Sequence, residues 1–394
     1  MFAVLSPLRK ALRPFALALG ALALTACEPI DLGSLGGTTG GGPQIDPNAK
    51  VQVALLVPKS DPQAGKLGAE LENAARLAIA DLGAQIDLRV YDTAGNATTA
   101  AAQAQRAVDE GAKIILGPLR QETANSAGLA VVDEGINVLA FSNNPTIAGG
   151  NVFVLGQTFN NIADRLMGFA RKQGKNSVVV VHSDDVPGQV GRNAIQQAAT
   201  RNGITVVSSQ GYQLSIEGVN ATAKSAAAAA TSGNASLFIT TDANNAALPM
   251  LLQTLPDNGA QPGAVQYIGL SRWDVRPDLF GLPGAEGAWF TLPDQAQQTA
   301  FTAKYRAAHG AAPNPLTSLG YDGMAAIAGL IKAGRKDALT AKALTRPNGF
   351  SGANGMFRLL PDGTNQRALA IATVRNNQMV ILEPAPKSFG GAGF

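Results

Sequence analysis

The chain has 394 residues, 46% of them apolar and 15% charged, enough material for two hydrophobic cores rather than one small one. The formal charge of +3 stems from Arg9, Lys10 and Arg13, which precede Cys27 with no acidic residue among them; the remainder holds 28 basic and 28 acidic residues. That balance argues against a nucleic-acid protein, which needs a basic excess. A single cysteine excludes an internal disulfide framework, and two histidines, His182 and His309, leave little for metal or general-base chemistry.

Arg9, Lys10 and Arg13 form a positive leader, followed by the apolar run from Phe15 to Leu24. Ten residues rise about 15 Å as a helix, half of a ~30 Å hydrocarbon core, which suits a secretory signal rather than a membrane span. The run ends in Leu24-Thr25-Ala26-Cys27, which resembles the lipobox of bacterial lipoproteins. The resemblance implies a signal peptide over 1–26 and lipidation of Cys27, hence a periplasm-facing protein held at a membrane. Glu28, where an aspartate would favour inner-membrane retention, favours the outer membrane, with the inner membrane left open. Residues 31–49 contain six glycines, Pro43 and Pro47, so 27–50 is expected to be a flexible tether.

From Val51 short β-rich runs alternate with longer helical ones. Val51–Val57, Leu88–Asp92, Lys113–Gly117, Ile136–Phe141 and Val152–Leu155 read as strands, with helices between the first four. The stripe Leu67, Leu71, Ala74, Ala78 and Leu82 gives the first helix one apolar face. A second cycle follows, with strands at Ser177–Val181, Ile204–Val207, Leu237–Thr240 and Gln266–Leu270. Helices are expected over about 295–309 and 316–334, then antiparallel strands at Met356–Leu359, Ala368–Ala372 and Met379–Leu382, with Pro361-Asp362-Gly363 turning after the first. The pattern predicts an α/β fold: two doubly wound, Rossmann-like lobes forming a clamshell, with a few antiparallel strands near the C-terminus.

Ligands of such folds sit at the C-terminal strand ends. There the first lobe offers Lys59, Ser60, Arg120, Gln121, Thr123, Ser142 and Asn143; the second offers Ser183, Asp184, Asp242, Ser271 and Arg272. These hydroxyls, amides and charges suit a small polar or anionic group, although Ser, Asn and Asp are also good helix N-caps. No Walker loop, His-Glu-x-x-His, Ser-x-x-Lys or Gly-x-Ser-x-Gly elbow appears, so no cofactor, metal site or catalytic residue is expected. His182 beside Ser183 and Asp184 is the one arrangement a hydrolase could use.

The opening strand with Pro58-Lys59-Ser60, the Ile115-Leu116-Gly117-Pro118-Leu119 strand end and Glu134-Gly135-Ile136-Asn137-Val138-Leu139 resemble the leucine-binding branch of type I periplasmic binding proteins. The resemblance implies no catalysis and two lobes joined by crossings near Gln157, Leu292 and Asn348. It divides the chain into 51–158 plus 292–347, 159–291 plus 348–384, and a flexible tail, 385–394. The ligand positions depart from the amino-acid binders. Arg120, Gln121 and Glu122 stand where small hydroxyl residues usually hold a carboxylate, and Ser271-Arg272 stands where an acid usually receives the amine, leaving Asp242 for that role.

A second branch, the penicillin-binding-protein activator lipoproteins, is similar at Leu116–Leu119, Ser271-Arg272, Glu286-Gly287, Leu292-Pro293, Gly320-Tyr321-Asp322-Gly323 and Phe350–Gly355. It adds Tyr321 to the candidate residues. The resulting expectation is a non-catalytic lipoprotein that regulates peptidoglycan synthesis with a peptidoglycan synthase as partner. The alternative is the substrate-binding component of a branched-chain-type amino-acid ABC transporter, with a permease as partner.

Overall fold

The computed structural model describes residues 42–390. The expected signal peptide (1–26), Cys27 and residues 27–41 of the expected tether lie outside them, as do residues 391–394.

The first lobe is built from β1 (Val51–Val57), α1 (Gly65–Leu82), β2 (Ile86–Asp92), α2 (Ala97–Asp109), β3 (Ile114–Leu116), α3 (Gln121–Ala130), β4 (Val138–Ala140) and β5 (Val152–Val154). Its parallel sheet has the order β2-β1-β3-β4-β5. The central strands are buried on both faces, which is why β3 and β4 read as unbroken apolar runs rather than alternations. α1 lays Leu71, Ala74, Ala75 and Ala78 inward and stops at Gly83, whose φ of +61° is the left-handed closure a glycine supplies.

The second lobe continues with α4 (Phe159–Lys172), β6 (Ser177–Ser183), α5 (Val186–Arg201), β7 (Thr205–Tyr212), α6 (Ile216–Ser232), β8 (Ser236–Ile239), α7 (Ala247–Asp257), β9 (Tyr267–Gly269) and β10 (Trp289–Leu292). The chain then forms α8 (Gln295–His309), α9 (Ser318–Lys332) and α10 (Ala341–Leu344), and ends in β11 (Phe350–Gly352), β12 (Gly355–Leu359), β13 (Asn365–Arg367), β14 (Ala370–Arg375) and β15 (Gln378–Glu383). The second sheet has the order β15-β14-β10-β9-β8-β6-β7; β14 and β15 join it antiparallel through β10. Read from β7 to β10, it repeats the order of the first sheet. α8 and α9 return to the first lobe, where Phe301 and Tyr305 pack on Ala74, and Met324 and Ile327 share a core with Leu55 and Leu116.

Three placements correct the expected division. β11, β12 and β13 form a separate small sheet, and Phe350, Phe357 and Leu359 enter the first-lobe core, so 350–367 sides with that lobe instead of the second. The third crossing therefore runs from β13 into β14, and not at Asn348. Asn365 fixes it by donating to the carbonyls of Val154 and Gly156, both at 2.8 Å. The segment before β1 is also anchored, at Ile45, which is 5% exposed in the same core and donates its amide to the Lys336 carbonyl. The expected tail is tied down through Ala385 in the second-lobe core, the Lys387–Asp294 ion pair, and Phe389 beneath the Arg358 guanidinium. Among the described residues no helix is long and apolar enough to cross a membrane.

Candidate functional site

At the end of β1 the chain turns through Asp61, whose carboxylate accepts from the amides of Gln63 (2.8 Å) and Ala64 (2.9 Å) just before α1. The same carboxylate pairs with Arg120 Nη2 at 2.9 Å. The Ala64 and Gln63 amides, with Arg120 behind them, hold the Asp61 carboxyl below the usual aspartate value. Gly95 makes the pair possible. Its φ is +67°, and a Cβ there would lie 2.1 Å from Asp61 Oδ2. Arg120, the residue before α3, is thus fastened to a carboxylate of its own lobe.

Beside it opens a cavity of about 500 Å³ at the ends of β3 and β4. Arg120, Gln121 and Glu122 line one side, Phe141, Ser142, Asn143 and Asn144 another. Gln157 and Pro293 come from two lobe crossings, Arg272 from the second lobe, and Gln298, Leu316, Leu319 and Asn354 from the returning helices and the small sheet. Six of these residues are carboxamides. They form short chains: Asn144 donates to Gln121, Gln121 to Glu122 at 2.8 Å, and Asn354 to Ser318 at 2.7 Å. Ser142 Oγ accepts the Asn144 amide at 3.1 Å.

The cavity holds three arginines, each paired. Arg120 has Asp61, Arg272 has Asp274 two residues on, and Arg367 has Asp322 at 2.8 Å. Arg272 is positioned by Trp273, which is fully buried and stacked on Phe290 with ring centres 6.0 Å apart. Trp273 lies over Gly269, where any Cβ would fall 2.5 Å from the indole. Arg367 and Asp322 are both buried. Burial raises the Asp322 carboxyl, while Arg367 and the Ala353 amide pull it back.

Of the residues expected at the cleft, the structure brings together Arg120, Gln121, Ser142, Asn143 and Arg272. The others lie elsewhere. Lys59 pairs with Glu72 at 2.9 Å, and the Ser60 amide donates to Asp92. Thr123 is buried and donates to the Arg120 carbonyl. Asp242 is exposed and accepts the Asn244 amide; Ser271 donates to the Thr241 carbonyl at 3.1 Å. Asp184 sits in an exposed turn with its amide on Tyr212. Tyr321 is a correction. Its hydroxyl donates to Asp81 at 2.9 Å in a different groove, with Phe301 and Lys304, because α9 turns that face towards α1. Gln157, Gln298 and Asn354 were missed: Gln157 follows β5 in a lobe crossing, while Asn354 sits in the β11–β12 turn and Gln298 lies on α8, neither in a loop between a parallel strand and the helix that follows it.

Ser183 donates to Asp185 at 2.6 Å, and Asp185 caps α5 through the Gly188 amide. His182 places Nδ1 2.9 Å from the Ser183 carbonyl, not near its hydroxyl. The group is an N-cap, not a nucleophile–base pair. No cluster of three metal-ligating side chains occurs among the described residues.

No curated protein matches the chain. Solved structures are similar in fold. A protein from Rhodospirillum rubrum described as a branched-chain amino acid ABC transporter superposes with a TM-score of 0.72 at 18% identity, covering 84% of this chain and 100% of its own. A branched-chain amino acid ABC transporter periplasmic ligand-binding protein from Burkholderia xenovorans gives 0.64 at 18% identity, with 86% and 96% covered. A leucine-binding protein from Thermotoga maritima gives 0.54 at 19% identity, with 85% and 98% covered. The sequence profile of the family described as "Periplasmic binding protein" matches residues 50–378, nearly all of both lobes. With that match and the two repeated sheets, the chain belongs to the periplasmic binding protein family.

Proposed function

We propose that the protein is a non-catalytic solute receptor working with an ABC permease, lipid-anchored through Cys27, and that its cleft takes a small uncharged polar solute. The periplasmic location follows from the family; the anchor and the solute class are the proposal. The observation that carries it is the cleft lining: six carboxamides and several apolar faces, with every arginine already answered by a carboxylate. A free amino acid brings a carboxylate and an ammonium, and both must be paired once buried. Here the guanidinium nearest the strand ends is engaged with Asp61, and the one acid in the lining, Glu122, is engaged by Gln121. Carboxamides, which both donate and accept, match hydroxyl and amide groups instead.

A second reading, a regulator of a peptidoglycan synthase, is favoured by the same Arg120–Asp61 pair, because a subsite closed on itself needs no solute. Thermal melting of the refolded protein against polyols, saccharides, small amides and amino acids separates the two. A ligand at one hundred times its Kd adds about 2.7 kcal/mol. The receptor reading expects such a rise for an uncharged solute, lost in Asn354→Ala. No rise across the panel, with capture of a synthase by the native protein, would replace it with the regulator.

A further inference from the structure

A second cavity, of about 830 Å³, lies where the lobe crossings meet α4 and α5. One wall is the β12–β13 hairpin with Arg358, Asp362 and Gln366; the other is α4 and α5 with Asn160, Asp164, Arg171, Lys172, Gln197 and Arg201. It shares Arg367 with the cleft described above but none of the carboxamides that define that cleft.

Its charge is one-sided. Six basic residues line it against two acidic ones, in a chain that carries equal numbers of basic and acidic residues after Cys27. Arg165 and Arg367 are buried and neutralised by Glu383 and Asp322, and Arg201 forks onto Asp164 with two bonds of 2.8 Å. Arg171 and Arg358, on opposite walls, are different: the groups that hold them are neutral. Arg171 meets the Asn176 carboxamide, and Arg358 meets Gln366 Oε1, the Pro347 carbonyl and the face of Phe389. Arg171 also complements the C-terminus of α4, an ordinary structural role. Arg358, in a strand, has no such role. On the walls themselves the pair Asn160–Gln197 (3.1 Å) and, opposite, Gln366 offer donors and acceptors of the kind a peptide backbone uses.

We propose that this groove binds a carboxylate-rich peptide segment of a partner protein, its acidic side chains forked by Arg171 and Arg358. The site is independent of what the cleft binds, so it stands or falls separately from the solute reading.

The test is fluorescence anisotropy with a labelled hexaglutamate peptide and the full-length protein at two salt concentrations. Saturable binding that weakens with salt is expected, reduced tenfold or more by Arg171→Glu and again by Arg358→Glu. Both side chains lie at the groove surface, and unchanged melting of the variants would show that the fold is intact. Lys224→Glu, exposed on α6, should leave binding unchanged. Equal binding by the Arg171→Glu/Arg358→Glu double variant would overturn the proposal. So would inorganic triphosphate binding more tightly than the peptide, which would make the groove a phosphate site.

Discussion

Asp322→Ala is expected to cost about 3–5 kcal/mol of stability in equilibrium urea unfolding. Asp322 is fully buried on α9, accepts the Ala353 amide and pairs with Arg367 at 2.8 Å. Arg367 in turn donates to the Leu155 carbonyl at the first lobe crossing and stacks on Phe357, 5.1 Å from its ring centre. Removing the carboxylate leaves a guanidinium buried without its counter-charge, beside an amide that has lost its acceptor. The penalty lies in the uncompensated charge and not in the pair itself. Asp322→Ala combined with Arg367→Met should therefore recover much of the loss. A single variant within about 1 kcal/mol of the parent protein would show that the pair is not the strut between α9 and the crossings.

Trp273→Ala should be comparably damaging, about 3–5 kcal/mol by thermal or chemical unfolding, because truncating a fully buried indole leaves a cavity its rigid neighbours cannot fill. The ring is seated on Gly269 at the end of β9 and against Phe290 of β10, two positions on strands. Trp273→Phe, which keeps most of the volume, should cost clearly less. Since Trp273 sets where Arg272 enters the cleft, the alanine variant should also alter solute binding more than its remaining folded fraction explains. A loss below about 1 kcal/mol would contradict the packing described.

The two lobes were legible because the buried parallel strands leave a trace: 53–57 and 178–181 are unbroken apolar runs of the kind a sheet covered on both faces accommodates. β13 left no such trace. Asn365-Gln366-Arg367 is polar, and its strand exists because Asn365 and Arg367 satisfy carbonyls of the crossing near Val154–Gly156. Ile45 carried too little periodicity to rise above its glycine-rich surroundings. In the site, strand-end logic brought Arg120 and Gln121 beside Ser142 and Asn143, since β3 and β4 are neighbours in one sheet, and it reached Arg272 at the end of β9 in the second. It could not find Gln298 and Asn354, which reach the cleft through helix and hairpin returns, and it placed Tyr321 there although the rotation of α9 turns the ring towards Asp81.

Every arginine of the cleft is paired with a carboxylate of the protein itself. Calorimetry of refolded, ligand-free protein with leucine-like amino acids tests the consequence most directly. Dissociation constants no better than millimolar are predicted, whereas a transport receptor for them needs micromolar affinity, about −8 kcal/mol. Forgoing one charge-assisted set of hydrogen bonds removes roughly 2–5 kcal/mol, enough to account for the difference. Micromolar binding of an amino acid, abolished by Ser142→Ala, would contradict that reading and make the cleft an amino-acid site.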